Sequence, residues 1–505
     1  MLLSSFKLQG KYLQENHSIK INLIFYQICV IPINNSCVND NIRKIKNSKR
    51  GIIMNAKKQN RISLIEAIAA IIIILICLGA GIIHFQMPPQ VPILLVFALL
   101  CMWGKIKGFS WEDIHKGIIK GIEPGIVPLI IFMLIGTLVA SLIAAGTIPT
   151  VVVYGYKIIS AKYLPVTAFI ICIAEGFTIG SSFTTISTMG VVLIALGRIS
   201  EIPDAYIAGA IVSGAFFANN MSPLADVPNL CSAIGEIPLS KHLRNLAKST
   251  LPVLVISIII YVILGGSANE VSGGIAETIQ SLNKFFFVSP ITLVPILLIF
   301  IASWRKLPAI ASLLIGIISA LIIYVFFAPN SSLQNVENLV MTGYASNTGI
   351  ETIDKIFSRG GIMSMMGSAS MIILALGMGG LLVKLEIFST VIKHIEHFVK
   401  SQTALVIFNS VGCMLTGILI GEQYLTVVLP GETFKPLYKK MNIPMHVMTR
   451  TLSGAGAAFS SIVPWSVAGT FIIGTLGLSN VNYIFYAFYP MLIPISTIIL
   501  SFIKN

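Results

Sequence analysis

The chain has 505 residues, 55% of them hydrophobic and 11% charged, where a soluble domain carries about 25% charged residues. Its mean hydropathy is +0.88, and charge-free runs such as Ala67–Ile83, Leu251–Ser267 and Ile310–Pro329 approach the length of a bilayer span. These features exclude a soluble enzyme, a nucleic-acid binder despite the net charge of +14, and an outer-membrane barrel, whose strands alternate apolar and polar residues.

Residues 1–53 form a basic extension with eight Lys or Arg and two acids. They lack a clean span and the ordered parts of a signal peptide. Met54-Asn-Ala-Lys-Lys reads as an ordinary start, so translation is expected to begin at Met54. Beyond it lie a first membrane half over 54–266, an external loop over 267–288 and a second half over 289–505. Apolar stretches fall near 62–83, 88–103, 122–145, 163–197, 205–232, 250–266, 289–303, 307–328, 361–383, 403–430, 446–478 and 484–501. Several are overlong or interrupted, which predicts about 11–13 transmembrane or re-entrant helices in an all-α polytopic protein.

Loop charges set the expected orientation. Lys57, Lys58 and Arg61 precede the first helix, so the amino terminus is cytoplasmic. Lys105, Lys107, Lys116 and Lys120 place 104–121 inside, as do Lys241, Arg244 and Lys248, then Arg305 and Lys306, then Lys435, Lys439 and Lys440. The 329–354 loop has no basic residue and lies outside. The set is consistent when 163–197 and 403–430 each enter the membrane and return on the same side.

A shift of 241 residues superposes Gly136, Gly176, Gly180, Gly190, Pro203 and Pro223 on Gly377, Gly417, Gly421, Gly431, Pro444 and Pro464. The 122–145 helix runs outward and 361–383 runs inward. This predicts two inverted-topology repeats with binding at their interface, the plan of many secondary transporters.

Four polar clusters interrupt apolar helices, in two repeat-related pairs. One pair is Gly180-Ser-Ser-Phe-Thr-Thr-Ile-Ser-Thr188 with Gly421-Glu-Gln-Tyr-Leu-Thr426. The other is Asn219-Asn-Met-Ser-Pro-Leu-Ala-Asp226 with Ser460-Ser-Ile-Val-Pro-Trp-Ser466. Broken helices survive in a membrane only inside protein or beside a polar cavity. The candidate ion or substrate residues are therefore Ser181, Ser182, Thr185, Asn219, Asn220, Ser222, Asp226, Glu422, Gln423, Thr426, Ser460, Ser461 and Trp465. Their oxygens suit Na⁺ or protons. A buried carboxylate must be protonated or paired with a cation, so Asp226 and Glu422 are the expected Na⁺ ligands, and the same choice gives proton exchange. Against this, Asp226 could instead cap the helix that follows. Glu175 is a third candidate. Glu66, Glu123 and Glu386 read as interfacial, and His394 with His397 as part of a solvated segment. The seven cysteines show no metal or disulfide spacing. No catalytic constellation or ATP-binding loop is present, so no enzyme and no cofactor beyond coupling ions is expected.

The run Gly214-Ala-Phe-Phe-Ala-Asn-Asn-Met-Ser-Pro-Leu-Ala-Asp226 with Asn229-Leu230 resembles the signature of the NhaC-type sodium/proton antiporters. So do Gly421 to Gly431, Phe434-Lys-Pro436, Arg450-Thr-Leu452 and Ile462-Val-Pro-Trp-Ser466, and the likeness covers about 62–501. It implies an antiporter of the ion transporter group in a bacterial cell membrane, expelling cytoplasmic Na⁺ as protons enter. The partners are the bilayer, Na⁺ and H⁺; a homodimer is left open. Several positions depart from the family pattern. Asn219, Asn220 and the Ser453-Gly454 pair stand where charged residues are usual, Glu422 replaces Asp, Phe183 replaces Trp, and Glu175 is added. The alternative is a Na⁺- or H⁺-coupled amino-acid or carboxylate transporter, for example of malate/lactate type, on the same fold. An intramembrane enzyme or channel is the third reading.

Overall fold

The computed structural model describes residues 62–502 apart from 86, 159–160, 267–273, 306, 329–331, 333–334, 388–389 and 392–398. The basic extension, Met54, His394 and His397 lie outside the described residues. In chain order the helices are α1 Leu64–Gly79, α2 Gln90–Ile106, α3 Trp111–Ile122, α4 Ile126–Ala144, α5 Thr147–Ile158, α6 Leu164–Ile179 and α7 Ser182–Thr185. A π-turn, Ile186–Gly190, carries α7 on into α8 Val191–Ile199. Then come α9 Asp204–Met221, α10 Asp226–Gly235, α11 Leu239–Gly266, α12 Gly274–Phe285, α13 Val294–Trp304, α14 Ala309–Phe327, α15 Asn335–Thr342 and α16 Glu351–Phe357. The last are α17 Met366–Lys384, α18 Gln402–Ile420, α19 Leu425–Lys440, α20 Met445–Thr451, α21 Val467–Leu476 and α22 Phe488–Phe502.

Local chemistry sets several of these boundaries. At α1 the Ser63 hydroxyl accepts from the Glu66 amide at 3.3 Å, and the Glu66 carboxylate accepts from the Ser63 amide at 3.0 Å. That reciprocal cap satisfies two otherwise orphaned donors, and Ser110 with Asp113 repeats it at α3. Glu66 also pairs with Lys107.

Six described stretches are long and apolar enough to cross a membrane, or eight when two bent pairs count as one span each. The helices α1, α2, α6 and α22 are apolar but shorter, at 10–17 residues. Together with the spans and bent pairs, these shorter helices account for apolar stretches that the expected 11–13 transmembrane or re-entrant pieces counted together. Large apolar side chains such as Ile65, Ile76, Leu94, Ile263 and Phe326 stand exposed. Such a surface is a liability in water and is the one that acyl chains cover in a multi-pass membrane protein. At the other extreme, α9 is buried on every side from Ile207 to Asn220, as expected of a helix in the middle of a bundle.

Backbone features recur at the 241-residue spacing. The left-handed positions Gly108, Gly180, Glu201 and Glu236 are matched by Gly349, Gly421, Asn442 and Gly477. The segment pair 204–221 and 226–235 maps onto Met445–Ile462 and Val467–Leu476. The loop before α17 is organised by Asp354, whose carboxylate accepts from the Thr348 amide at 2.8 Å and from the Ser346 and Thr348 hydroxyls at 2.8 Å. Those bonds, the Thr348 amide first, hold the carboxyl below its usual range.

Helices α3 and α17 cross in close contact because glycines face each other there. A Cβ on Gly380 would lie 2.3 Å from the Gly117 carbonyl oxygen and 2.6 Å from the Gly121 Cα. Small residues permit this kind of approach where lipid offers no hydrophobic drive. Gly380→Val is expected to cost about 1–3 kcal/mol through overpacking, read as a lower unfolding temperature of the purified protein. Gly367→Ala, with nothing within 4 Å of the added Cβ, is expected to leave that temperature unchanged.

Candidate functional site

Two helical hairpins and two broken helices build the site. The first hairpin turns at Gly180, where α6 ends with φ +77°, and the second at Gly421, where α18 ends with φ +73°. Each Gly amide still bonds back four residues, to Gly176 and Gly417, so the helix closes before the chain reverses. After Gly180, Ser181 is extended and its hydroxyl accepts from the Thr184 amide at 3.3 Å. After Gly421, Glu422 occupies the corresponding place and its carboxylate accepts from the Leu425 amide at 2.7 Å. A buried carboxylate thus stands over the first turn of α19, where free amides and the helix dipole favour negative charge.

The broken helices are α9–α10 and α20–α21, and their breaks seat the hairpin tips. The Ser222 hydroxyl donates to the Phe177 carbonyl at 2.8 Å. In the other half, Trp465 Nε1 donates to the Ile418 carbonyl at 2.6 Å and the Val467 amide to the Gly421 carbonyl at 2.8 Å. Phe177 and Ile418 are equivalent under the 241-residue shift. At Gly180 a Cβ would fall 2.8 Å from the Leu224 carbonyl carbon, so only glycine lets this tip sit so close. The far ends of the hairpins are tied in the same crossed manner. Arg198 bonds Asp204 in a fork, with Nη2 to Oδ2 at 2.7 Å, and also donates to the Gly477 carbonyl at 2.7 Å. Its equivalent, Lys439, pairs with Glu236 at 3.2 Å, beside Lys435 at 2.8 Å.

The two predicted carboxylates behave differently. Glu422 is 3% exposed. Asp226, expected to be buried, is exposed. It begins α10 and makes no capping bond, Ala225 being the cap residue, which removes the capping role weighed against it. The reason for its exposure is the cavity of 450 Å³ that it lines with Ser181, Thr184, Pro223, Ser303 and Leu307. From the opposite side the Tyr424 hydroxyl reaches its Oδ2 at 3.2 Å. Asp226 therefore lies between the tips of both hairpins, and Tyr424 links it to the loop carrying Glu422.

The other predicted residues divide into groups. Gln423 donates to the Ala457 carbonyl at 3.0 Å, bracing the second tip against the second broken helix. Thr185, Thr426, Ser460 and Ser461 satisfy their hydroxyls on nearby carbonyls of Ser181, Gln423, Ala457 and Ala458. These are local bonds of the breaks, and Trp465 is spent on its bond to Ile418. Ser182 and Asn219 are buried. Asn220 donates to the Tyr489 hydroxyl at 3.1 Å and the Ser453 carbonyl at 3.3 Å, and its own oxygen has no partner. Glu175 is buried inside the first hairpin, where Oε1 accepts from the Thr188 hydroxyl at 2.7 Å and Oε2 has no partner. The break of the first hairpin is confined to Gly180 and Ser181. The rest of the polar run to Thr188 is helical, with a π-turn. Sequence inspection missed Tyr424. The signal was present, because the 241-residue shift sets it opposite Phe183 at the hairpin tip. Among the described residues no group of three or more His, Cys, Asp or Glu could hold a metal in the manner of a multi-ligand centre.

Comparison with known proteins agrees with this architecture. The model of the Na+/H+ antiporter family matches residues 214–504. The Na(+)/H(+) antiporter NhaC of Bacillus subtilis strain 168 is 33% identical over 450 residues, 88% of this chain and 99% of that protein. The protein of the same name from Alkalihalophilus pseudofirmus is 32% identical over 419 residues, 83% of this chain and 91% of that protein. The Malate-2H(+)/Na(+)-lactate antiporter of Bacillus subtilis is 27% identical over 405 residues, 80% of this chain and 86% of that protein. With the family model covering more than half of its length and these relatives aligned nearly end to end, the chain belongs to the Na+/H+ antiporter family, in the NhaC group.

Proposed function

We propose that the protein is a secondary antiporter exchanging cytoplasmic Na⁺ for external H⁺, and that Asp226 and Glu422 are the groups that hold either the ion or the proton. The observation that carries this is the position of Asp226: a carboxylate at a helix break, open to a polar cavity and flanked by both hairpin tips. Glu422, 3% exposed, is the carboxylate whose buried charge calls for a neutralising cation or proton, and Asp226 is the one that an ion in the cavity can reach. The two neutral states cannot coexist on one carboxylate, and that exclusion couples the flows. Relatives named for Na⁺/H⁺ exchange are more similar over more of the chain than the malate/lactate exchanger, which supports the inorganic reading over the organic one. Ser181 and Thr184 on the cavity wall are the neutral oxygens available to a partly dehydrated Na⁺ beside Asp226. The reaction is transport, with no chemical step and no cofactor beyond the two ions.

In this proposal the two halves have inverted topology, the amino terminus is cytoplasmic, and the Asp226 cavity faces the cytoplasm. Its wall includes Ser303 and Leu307, either side of the basic Arg305-Lys306 turn. The matched left-handed residues support the repeat, and the grouping of basic residues supports the orientation.

Two experiments test it. With residues 54–505 in liposomes containing a pH dye, external Na⁺ is expected to shift internal pH. Asp226→Asn and Glu422→Gln should each reduce that signal to background while the protein stays folded, and retention of exchange in Asp226→Asn rules that residue out as the coupling acid. For topology, cysteines at Ile122 and Val383 are expected to react with an impermeant reagent from the cytoplasmic side only. Labelling from opposite sides contradicts the inverted arrangement.

A further inference from the structure

Arg450, on α20, is the largest completely buried side chain among the described residues. Its guanidinium has one hydrogen bond, from Nη1 to Asn245 Oδ1 at 3.3 Å, while Nε and Nη2 have no partner. None of the ion pairs among the described residues includes it. A guanidinium stays protonated in proteins, and a buried charge without a counter-charge costs several kcal/mol. Na⁺/H⁺ exchange gives no reason for a cation here.

The surroundings of Arg450 repeat the pattern. Four residues earlier, His446 Nδ1 is buried without a partner. The spacing of four puts the two side chains on one face of the helix. The Asn220 amide donates to the Ser453 carbonyl at 3.3 Å while its own oxygen is unpartnered. A track of unsatisfied polar atoms thus leads from His446 past Arg450 toward the break of the first broken helix. At its outer end His446 is half-buried and lies within electrostatic reach of Lys241 and Lys248, both exposed on α11. The first half has no counterpart. The shift of 241 residues sets Gly209 opposite Arg450, and a Cβ on Gly209 would lie 2.4 Å from the Tyr486 carbonyl oxygen. The space filled by backbone in one half holds a charged fork in the other.

We propose that Arg450 anchors an oxyanion site, taking a carboxylate or phosphate group. The unpaired Nε and Nη2 form one edge of the guanidinium, the edge that binds two oxygens of one such group in parallel. This goes beyond the exchange of Na⁺ and H⁺. It gives the protein a binding site for a small anion, with a free solute and a lipid headgroup as the two sources of the same chemistry.

The test uses the purified full chain in neutral detergent. Its unfolding temperature is followed while sodium acetate or sodium phosphate replaces sodium chloride at constant Na⁺, with choline chloride added to equalise ionic strength. A saturable rise of several degrees with acetate or phosphate is expected, lost in Arg450→Gln. In Arg450→Lys, which keeps the charge without the fork, the midpoint should move at least about tenfold. A parallel series in lipid nanodiscs compares neutral phosphatidylcholine with added phosphatidylglycerol. Stabilisation by the anionic lipid alone, dependent on Arg450, assigns the site to a headgroup. Equal unfolding temperatures under every condition, or a response that survives Arg450→Gln, overturn the proposal. Should Arg450→Gln not fold, Asn245→Ala is expected to shift the anion midpoint by removing the bonded partner that orients the fork, and an unchanged midpoint overturns it equally.

Discussion

Everything in this fold answers to one constraint: four helices are interrupted where backbone groups have little water to turn to. An unpaired carbonyl or amide there costs several kcal/mol. The hairpin tips and the breaks of the long helices satisfy one another. Phe177 and Ile418, the carbonyls left over at the ends of the first hairpin limbs, accept from Ser222 and Trp465, and Gly421 accepts from Val467. This reciprocity explains why the glycines at 180 and 421 matter. A left-handed residue is needed to reverse the chain, and at Gly180 a side chain would also push the tip off the break.

The same bracing gives the protein its asymmetry. The two halves place equivalent backbone at equivalent points but equip it differently. Ser181 caps its hairpin limb with a hydroxyl where Glu422 does so with a carboxylate. Asp226 opens α10 where Val467 opens α21. Phe183 is apolar where Tyr424 carries the hydroxyl that reaches Asp226. Both acids of the breaks belong to one crossing, that of the second hairpin with the first broken helix. In the proposed mechanism this charge, confined to one crossing of a pseudo-symmetric frame, would serve as a single ion-exchange centre. Arg450 against Gly209 is a further departure from symmetry, on the two broken helices.

Much of this was legible from the sequence. The hydropathy pointed to a multi-pass helical protein, and the polar clusters contained the breaks at Gly180 and Gly421, although the first was read as reaching to Thr188 and is confined to Gly180 and Ser181. The polar clusters held both carboxylates. What the sequence could not convey was which polar atoms are consumed by the breaks themselves. Ser460, Ser461, Thr185 and Thr426 look like ligands by composition, yet each hydroxyl bonds a carbonyl three or four residues back, the ordinary use of such residues in apolar helices. Exposure was equally hidden. Asp226 and Glu422 stand in similar polar clusters, but the turn between α13 and α14 leaves a cavity beside one and none of that wall covers the other. Long-range partners such as Tyr424 with Asp226, 198 residues apart, follow from the crossing of elements and are invisible to local pattern.

The central claim is that one carboxylate centre holds Na⁺ and H⁺ in mutual exclusion. The most direct measurement is proton release on adding Na⁺ to purified protein in weakly buffered detergent solution, with no membrane and no gradient. The account predicts a saturable release that shrinks as the starting pH rises and the carboxylates lose their protons, and that vanishes in the Asp226→Asn, Glu422→Gln double variant. Na⁺ binding without proton release, or release that persists in the double variant, contradicts it.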